Sequence, residues 1–547
     1  MSTQISDSFS GMHLDWGNLK IPVQSLCGGA LVTGSTGSGK TVSVVNPLSL
    51  KLAALNRNDA QKKPAIIYFV TKGASHESFL EQLPASRKKD VIRIDGRRSC
   101  KFSLSLFPAE NWSSLAELDL AVPGFLEEFG EHLWDTLSTE RHDVFWDRQR
   151  MRVLSELSSL RKMGGDLFSS PKGDQLMTLL DRLDAFIEHI ETPQLPSQDE
   201  KDAKMLKQWF ETAGIGSKNE LDAARETVVR ALLKAPKNSS LRRLMLMLEE
   251  MIDMYSASPK VKVEAEPTRL NKMCSQLDVP SQERLARLVR DYVLLAPTTR
   301  SCVLSDLQSL VQLLRSGPAA NVFNPNHGAA VSLEEVIHEG KILVLDLPLS
   351  DSANATRPVL LAIKLVLMNR ILGRNSALCR GKQLNRERPV VIVIDEFQSL
   401  ISRGRSGGED QFMSRCREFG AISIFATQSL ALLAGTIRDP SKLAALLANM
   451  RTRIFGHNTD ALTCEQSAAL CGASAGQDIQ LAQVWHKSER LKRLVTVTAA
   501  GGNPRISPGT FSTLKTGQFI VATADGNCHM LDASGNNIMN PQVRAIP

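Results

Sequence analysis

The sequence predicts an α/β protein: a mainly parallel central sheet whose chain is interrupted by an inserted all-α domain. Three observations lead there. Short apolar runs recur near both ends of the chain, at 30–33, 65–70, 91–94, 341–347, 389–394 and 422–426. Runs of that length without polar alternation are what strands look like when helices cover both faces. Between Pro108 and Pro297 such runs almost vanish, and Leu, Glu, Arg, Lys and Met dominate with helical spacing in 241–254 and 282–295. At 547 residues the chain is long enough for about two to four domains. The expected organisation is therefore one α/β domain built from residues 1–108 and 298–547, with 109–297 inserted as a helical domain. Within the insertion, the polar, proline-bearing stretch 194–202 reads as a loop.

Composition narrows the class. Apolar residues make up 42% and charged residues 22%, an ordinary globular balance that excludes wholesale disorder. Lys+Arg minus Asp+Glu is 65 − 58 = +7, which permits a polyanionic partner without requiring one. The nine cysteines are scattered and form no Cys-x-x-Cys pair, which argues against a disulfide framework or zinc site and fits a reducing cytoplasm. The N-terminal residues show no basic-then-apolar signal pattern. No apolar run reaches the ~18 residues that cross a bilayer. The best candidate, 359–372, is broken by Lys364 and Arg370.

Taken in chain order, the first strand is followed by Gly34-Ser35-Thr36-Gly37-Ser38-Gly39-Lys40-Thr41 and then a helix-like stretch. This is the G-x-x-x-x-G-K-[ST] phosphate loop in the strand–loop–helix context it requires. Small residues let successive N–H groups surround phosphate oxygens, and the following helix N-terminus adds a favourable dipole. Lys40 is expected on the β- and γ-phosphates of ATP and Thr41 on Mg2+. The strand at 389–394 ends in Asp395 and Glu396, two acids at the edge of the sheet where α/β proteins hold ligands. Asp395 is expected to hold Mg2+ and Glu396 to act as general base on the attacking water. The strand at 422–426 runs into Thr427-Gln428-Ser429, where Gln428 is placed to sense the γ-phosphate. The tail carries strand-like Phe519–Ala522 and the turn Asp525-Gly526, and is expected to close the sheet.

The order and flanks of these motifs resemble the type IV secretion coupling ATPases (the TraG/TraD family), within the FtsK–HerA group of DNA pumps. The matching residues are the phosphate loop with Val44-Val45-Asn46-Pro47-Leu48, Thr71-Lys72-Gly73, Ser105-Leu106-Phe107-Pro108 and Asp395-Glu396-Phe397. Arg417-Glu418-Phe419-Gly420, Thr427-Gln428-Ser429 and 449–453 complete the series. The resemblance covers roughly 25–108 and 290–525, and the helical insertion falls where that family has its all-α domain. It implies a RecA-like P-loop core, a hexameric ring, and ATP-driven movement of DNA, or a DNA–protein substrate, to a secretion or conjugation apparatus. Arg417 matches the arginine finger that enters the neighbouring subunit's site, with Arg415 close enough to compete. The implied partners are DNA, further copies of the chain, secretion-system membrane proteins, and a relaxase or effector. The family opens with transmembrane helices, whereas this chain starts almost at the nucleotide-binding core. The expected location is the cytoplasm, peripheral at the inner membrane through a partner. The family's acid before the turn at 71–73 is here Val70.

Two other readings use the same motifs. One is a soluble DNA translocase of the same group acting in defence or genome packaging. The other is a nucleotide-dependent adaptor that binds protein effectors through the helical domain. Basic clusters at Arg284, Arg287 and Arg290, and at Lys234, Lys237, Arg242 and Arg243, are candidate phosphate contacts or solvated helix faces.

Overall fold

The computed structural model describes residues 9, 11–73, 76–106, 149, 152–153, 175–191, 219, 223, 226, 279–293, 295–315, 317–323, 329–375, 378–379, 382–402, 408–437, 439–472, 504–524, 526–536 and 538. Its strands are β1 (His13–Trp16), β2 (Leu19–Pro22), β3 (Ala30–Thr33), β4 (Ala65–Val70), β5 (Val91–Ile94), β6 (Phe102–Ser105), β7 (Ala329–Ser332), β8 (Ile342–Asp346), β9 (Leu378–Cys379), β10 (Lys382–Gln383), β11 (Val390–Ile394), β12 (Ala421–Thr427), β13 (Thr452–Phe455), β14 (Phe519–Ala522) and β15 (Cys528–Leu531). Nine form one sheet in the order β15-β14-β13-β3-β12-β11-β4-β8-β5. From β13 to β5 every pairing is parallel, and β14 and β15 close one edge antiparallel.

This is the mainly parallel α/β sheet the sequence predicts. β3, β4, β8, β11 and β12 are buried along their whole length, which is why their sequences carry no polar alternation. One face packs Ile66, Tyr68, Val391, Val393, Ile422 and Ile424 against Leu48 and Leu52 of the helix Asn46–Ala54. Burying each large side chain there contributes roughly 1.5–3 kcal/mol. The tail returns as β14 and β15, although Asp525 of the expected turn lies outside the described residues.

The apolar run at 359–372 lies in the helix Leu349–Leu372. The charges that break it are buried and paired: Lys364 with Glu409 and the Leu400 carbonyl, and Arg370 Nε with Glu334 Oε1 at 2.5 Å. Buried charge is tolerated because each has an opposite partner. Among the described residues no helix is long and apolar enough to cross a membrane.

The chain divides into two compact units. One contains the sheet and runs over Met1–Ser105 and Pro318–Pro547, and the other takes most of the chain between them. β6 and β7, which bracket that stretch, pair in parallel. Composition changes at Pro297, yet the sheet-bearing unit resumes only at Pro318. The helix Pro297–Arg315 explains the difference, because it belongs to the helical unit. Its Val303, Leu307, Val311 and Leu314 are buried, and Arg315 bridges Asp181 and Asp184 of the helix Gln175–Glu191, both at 2.6 Å. In the helix Val279–Val293, Leu285, Leu288 and Tyr292 are buried, while Arg284 is half-buried and Arg287 exposed. Phe107, Pro108, 194–202, Lys234, Lys237 and 241–254 lie outside the described residues.

The turn between β1 and β2 carries a stability prediction. Gly17 has φ +56°, and a Cβ built there would lie 2.2 Å from the carbonyl carbon of Gly535. Asn18 N donates to Gly535 O at 3.2 Å, so two backbones meet at that point. Gly17→Ala is expected to cost about 2–4 kcal/mol in urea unfolding, from left-handed strain plus overlap. Gly11 has φ +80° but open space around it, so Gly11→Ala should show the strain alone. Equal losses at the two positions would remove the close approach as a cause.

Candidate active site

Parallel register brings four strand ends to one edge. Thr33 of β3 pairs with Thr427 of β12, and Ile394 of β11 pairs with Phe425 of β12 and Phe69 of β4. The residues that follow are Gly34 to Thr41, Gln428, Asp395-Glu396 and Thr71-Lys72. The residues expected to bind nucleotide and Mg2+ and to run hydrolysis, Arg417 and its competitor Arg415 excepted, therefore sit at the carboxyl edge of neighbouring strands, where such sheets bind ligands.

The loop after β3 is fixed from outside. Gly34 N donates to Thr427 O (3.3 Å) and Ser35 N to His457 O (2.7 Å). Ser35 Oγ shares a 3.0 Å hydrogen bond with His457 Nδ1. On the other flank, Gly517 N donates to Ser38 O (3.1 Å), and Thr516 Oγ1 donates to Gly37 O (3.3 Å). With these carbonyls occupied, the loop's backbone is held in one conformation. Gly39 has φ +90°, and a Cβ there would lie 3.2 Å from Ser43 Oγ and 3.3 Å from Gly517 N. His457, Thr516 and Gly517 were not among the expected site residues, since only the fold brings residues so distant in sequence to the loop.

The helix expected directly after the loop begins as a π-turn, Lys40–Val45, before the α-helix Asn46–Ala54. Pro47 accounts for this. It lacks the amide hydrogen that the Ser43 carbonyl would use in a regular α-helix, and its ring crowds that carbonyl. A π-turn is the local widening that accommodates it.

Lys40 is buried, and its Nζ donates to Gly34 O (2.5 Å) and Ser35 O (3.2 Å). Burial lowers its pKa, against the opposing pull of Glu396 and Asp395, while Lys72 lowers it further. An anion placed beside this ammonium would offset the cost of burying it. Thr41 Oγ1 donates to both oxygens of Asp395, at 3.0 and 2.8 Å. Burial raises the Asp395 pKa, the Thr41 hydrogen bond opposes that rise, and the Glu396 charge adds to it. Glu396 Oε2 accepts from Gln428 Nε2 at 3.0 Å and from Gln398 Nε2, and Lys72 Nζ lies 3.9 Å from Oε1. Gln398 is a further unexpected member of the site. The signal was its position two residues beyond Glu396, on the same turn.

The residues fit a nucleotide with Mg2+. Ser38 Oγ is buried in the loop without a hydrogen-bond partner. A Cβ on Gly34 would come within 2.7 Å of that oxygen and 3.3 Å of Gly456 Cα, so a side chain there would displace Ser38 Oγ. Thr41 and Asp395 bring together a hydroxyl and a carboxylate, the hard oxygen donors that Mg2+ takes.

Arg417 lies elsewhere. It is exposed on the 3-10 turn Cys416–Phe419, just before β12, and Arg415 is also exposed. Because β11 and β12 are parallel, that is the edge of the sheet opposite Glu396. Spanning β12 takes roughly 20 Å. Arg417 and Glu396 of one chain are not brought together.

The chain matches no family model, and no curated protein matches it at a significant level. Solved structures do match. The plasmid coupling protein TrwB in complex with ADP and Mg2+ is 14% identical, with 97% of this chain and 91% of that chain covered and a TM-score of 0.50. The bacterial conjugative coupling protein TrwBdeltaN70, trigonal form in complex with sulphate, is 13% identical, with 98% and 93% covered and a TM-score of 0.50. At these identities the likeness is one of architecture: the chain shares the RecA-like α/β P-loop fold of the conjugative coupling protein TrwB.

Proposed function

We propose that this protein is an ATP-hydrolysing motor of the type IV secretion coupling class, a ring of copies, taken to be a hexamer, that recruits DNA or a DNA–protein substrate and moves it toward a secretion or conjugation apparatus. The observation that carries the reading is the convergence of Lys40, Thr41 with Asp395, and Glu396 with Gln428 on one sheet edge. A shared fold with TrwB, one of whose structures holds ADP and Mg2+, supports it.

In this reading the backbone of 34–41 cradles the phosphates and Lys40 pairs with the β- and γ-phosphate oxygens. Thr41 and Asp395 hold Mg2+, which when bound offsets phosphate charge. Glu396 accepts the proton of the attacking water. Gln428 meets the γ-phosphate and passes its loss to the segment after β12. Arg417 of a neighbouring copy supplies the positive charge that the transition state needs. The +7 net charge suits a polyanionic substrate, whose binding would weaken with salt.

The test is phosphate release at rising protein concentration, alone and with single- or double-stranded DNA. Turnover per chain should rise with concentration and with DNA, and Lys40→Ala should lower it by about 10²–10³. Turnover that ignores DNA while the protein binds a secretion partner would instead support an adaptor. No phosphate release under any of these conditions would end the proposal.

A further inference from the structure

Gln398 is buried on the short turn Phe397–Leu400, directly after the two site acids. That turn is firmly held. Phe397 stacks on Phe425 of β12, with ring centroids 4.3 Å apart and planes at 14°. Leu400 is buried, and its carbonyl accepts from the buried Lys364. Gln398 Nε2 donates to Glu396 Oε2, while its own Oε1 is buried without a partner. The amide orientation follows from this, because a flipped amide would set its oxygen against the carboxylate.

Two amides therefore meet on one oxygen. Gln428 Nε2 lies 3.0 Å from the same Oε2. A carboxylate oxygen has two lone pairs, so two donors fill Oε2 and leave Oε1 as the oxygen able to take a proton. The donors differ in their freedom. Gln398 is fixed in the core by its turn, whereas Gln428 is half-buried at a strand end. A γ-phosphate that draws Gln428 away would leave Glu396 held by Gln398 alone.

Resting on the hydrolytic reading of this edge, we infer that Gln398 is the positioning residue of the general base. It keeps Oε2 of Glu396 tied while Gln428 exchanges between that carboxylate and phosphate, so that Oε1 stays aimed at water. Gln398 touches neither substrate nor water in this role and acts only through Glu396.

The experiment is a double-mutant cycle on the full-length chain, using Gln398→Met, which keeps the volume and removes the donor. The kcat for ATP should fall about 10–100-fold, the effect of losing one hydrogen bond to a charged group. KM, and the affinity for a non-hydrolysable ATP analogue, should change less than about threefold. In a Glu396→Gln background, adding Gln398→Met should lower the residual rate less than about threefold, since no carboxylate remains to be aimed. A merely structural role would depress both backgrounds alike and weaken analogue binding, and that result overturns the inference. So does an unchanged kcat. If Gln398→Met does not fold, Gln398→Leu replaces it. It also removes the donor without adding charge, and the same pattern of kcat loss without loss of analogue binding is required. Glu396→Gln alone separates the two levels of the argument: full turnover in that variant sinks the hydrolytic reading, whereas a dead Glu396→Gln beside a normal Gln398→Met sinks only the positioning role.

Discussion

Arg417→Ala should lower ATP turnover by about 10³–10⁵, the range for an arginine finger, while leaving nucleotide binding to the same chain intact. The geometry makes the prediction specific. Arg417 precedes β12 and Glu396 follows β11, and the two strands run parallel in register from Val390 opposite Ala421 to Ile394 opposite Phe425. The guanidinium is thus a full strand length, roughly 20 Å, from its own chain's site. It can act on a γ-phosphate only across an interface between copies. In a head-to-tail ring the contact is heterologous, so each site takes its loop and acids from one chain and its arginine from the next. Arg417→Ala chains mixed with Glu396→Gln chains should therefore regain activity. Roughly one interface in four of a random equal mixture has both functional halves. Absence of rescue at every mixing ratio would remove Arg417 from the role. Arg415 is exposed two residues earlier, at the end of the helix Glu409–Arg415. If Arg415→Ala is inactive and rescued by mixing while Arg417→Ala is not, the finger is Arg415.

The sequence shows the strands buried on both faces far better than the short or polar ones, for a physical reason. β3 and β4 begin and end where their apolar runs do, and β8, β11 and β12 are read within one residue at each end. Strands covered on both faces must be apolar throughout, which leaves an unbroken run in the sequence. β1 and β2 alternate exposed and buried residues over only four positions each, too short a pattern to stand out. The stretch of β13 reads as a motif and not as a strand, because Thr452 and Arg453 interrupt its apolar character. Its place beside β3 depends on partners hundreds of residues away. The site divides in the same way. Lys40, Thr41, Asp395 and Glu396 announce themselves, since a phosphate loop and an acid pair after a buried strand are local patterns. Gln398, His457 and Gly517 are ordinary residues in sequence. The parts of His457 and Gly517 come from tertiary hydrogen bonds to Ser35 and Ser38, which no local spacing encodes, whereas Gln398 reaches Glu396 from two residues along the chain, on a turn whose course only the fold shows.

Glu396→Gln should bind ATP and hold it, with hydrolysis reduced by about 10²–10⁴, the usual contribution of a general base. The substitution is informative because of how the two amide donors lie. Gln398 and Gln428 both donate to Oε2, so that place requires an acceptor. A glutamine at 396 would meet the requirement by putting its carbonyl oxygen there, which leaves its NH2 group where Oε1 stood. The hydrogen bonds that fix the side chain survive, and the oxygen that would take the proton is the one removed. Binding should not suffer, because the change deletes a negative charge near the position of the γ-phosphate. Lys40 loses one of the two carboxylates that favour its charged form, but it would regain an anionic partner from the phosphate itself. Equilibrium binding of a non-hydrolysable ATP analogue should then be equal to or tighter than in the unaltered chain, with single-turnover cleavage slowed by the full factor. Were cleavage to continue within about threefold of the unaltered rate, the base would have to be another group, and Gln398 and Gln428 would be holding a carboxylate with no part in the chemistry.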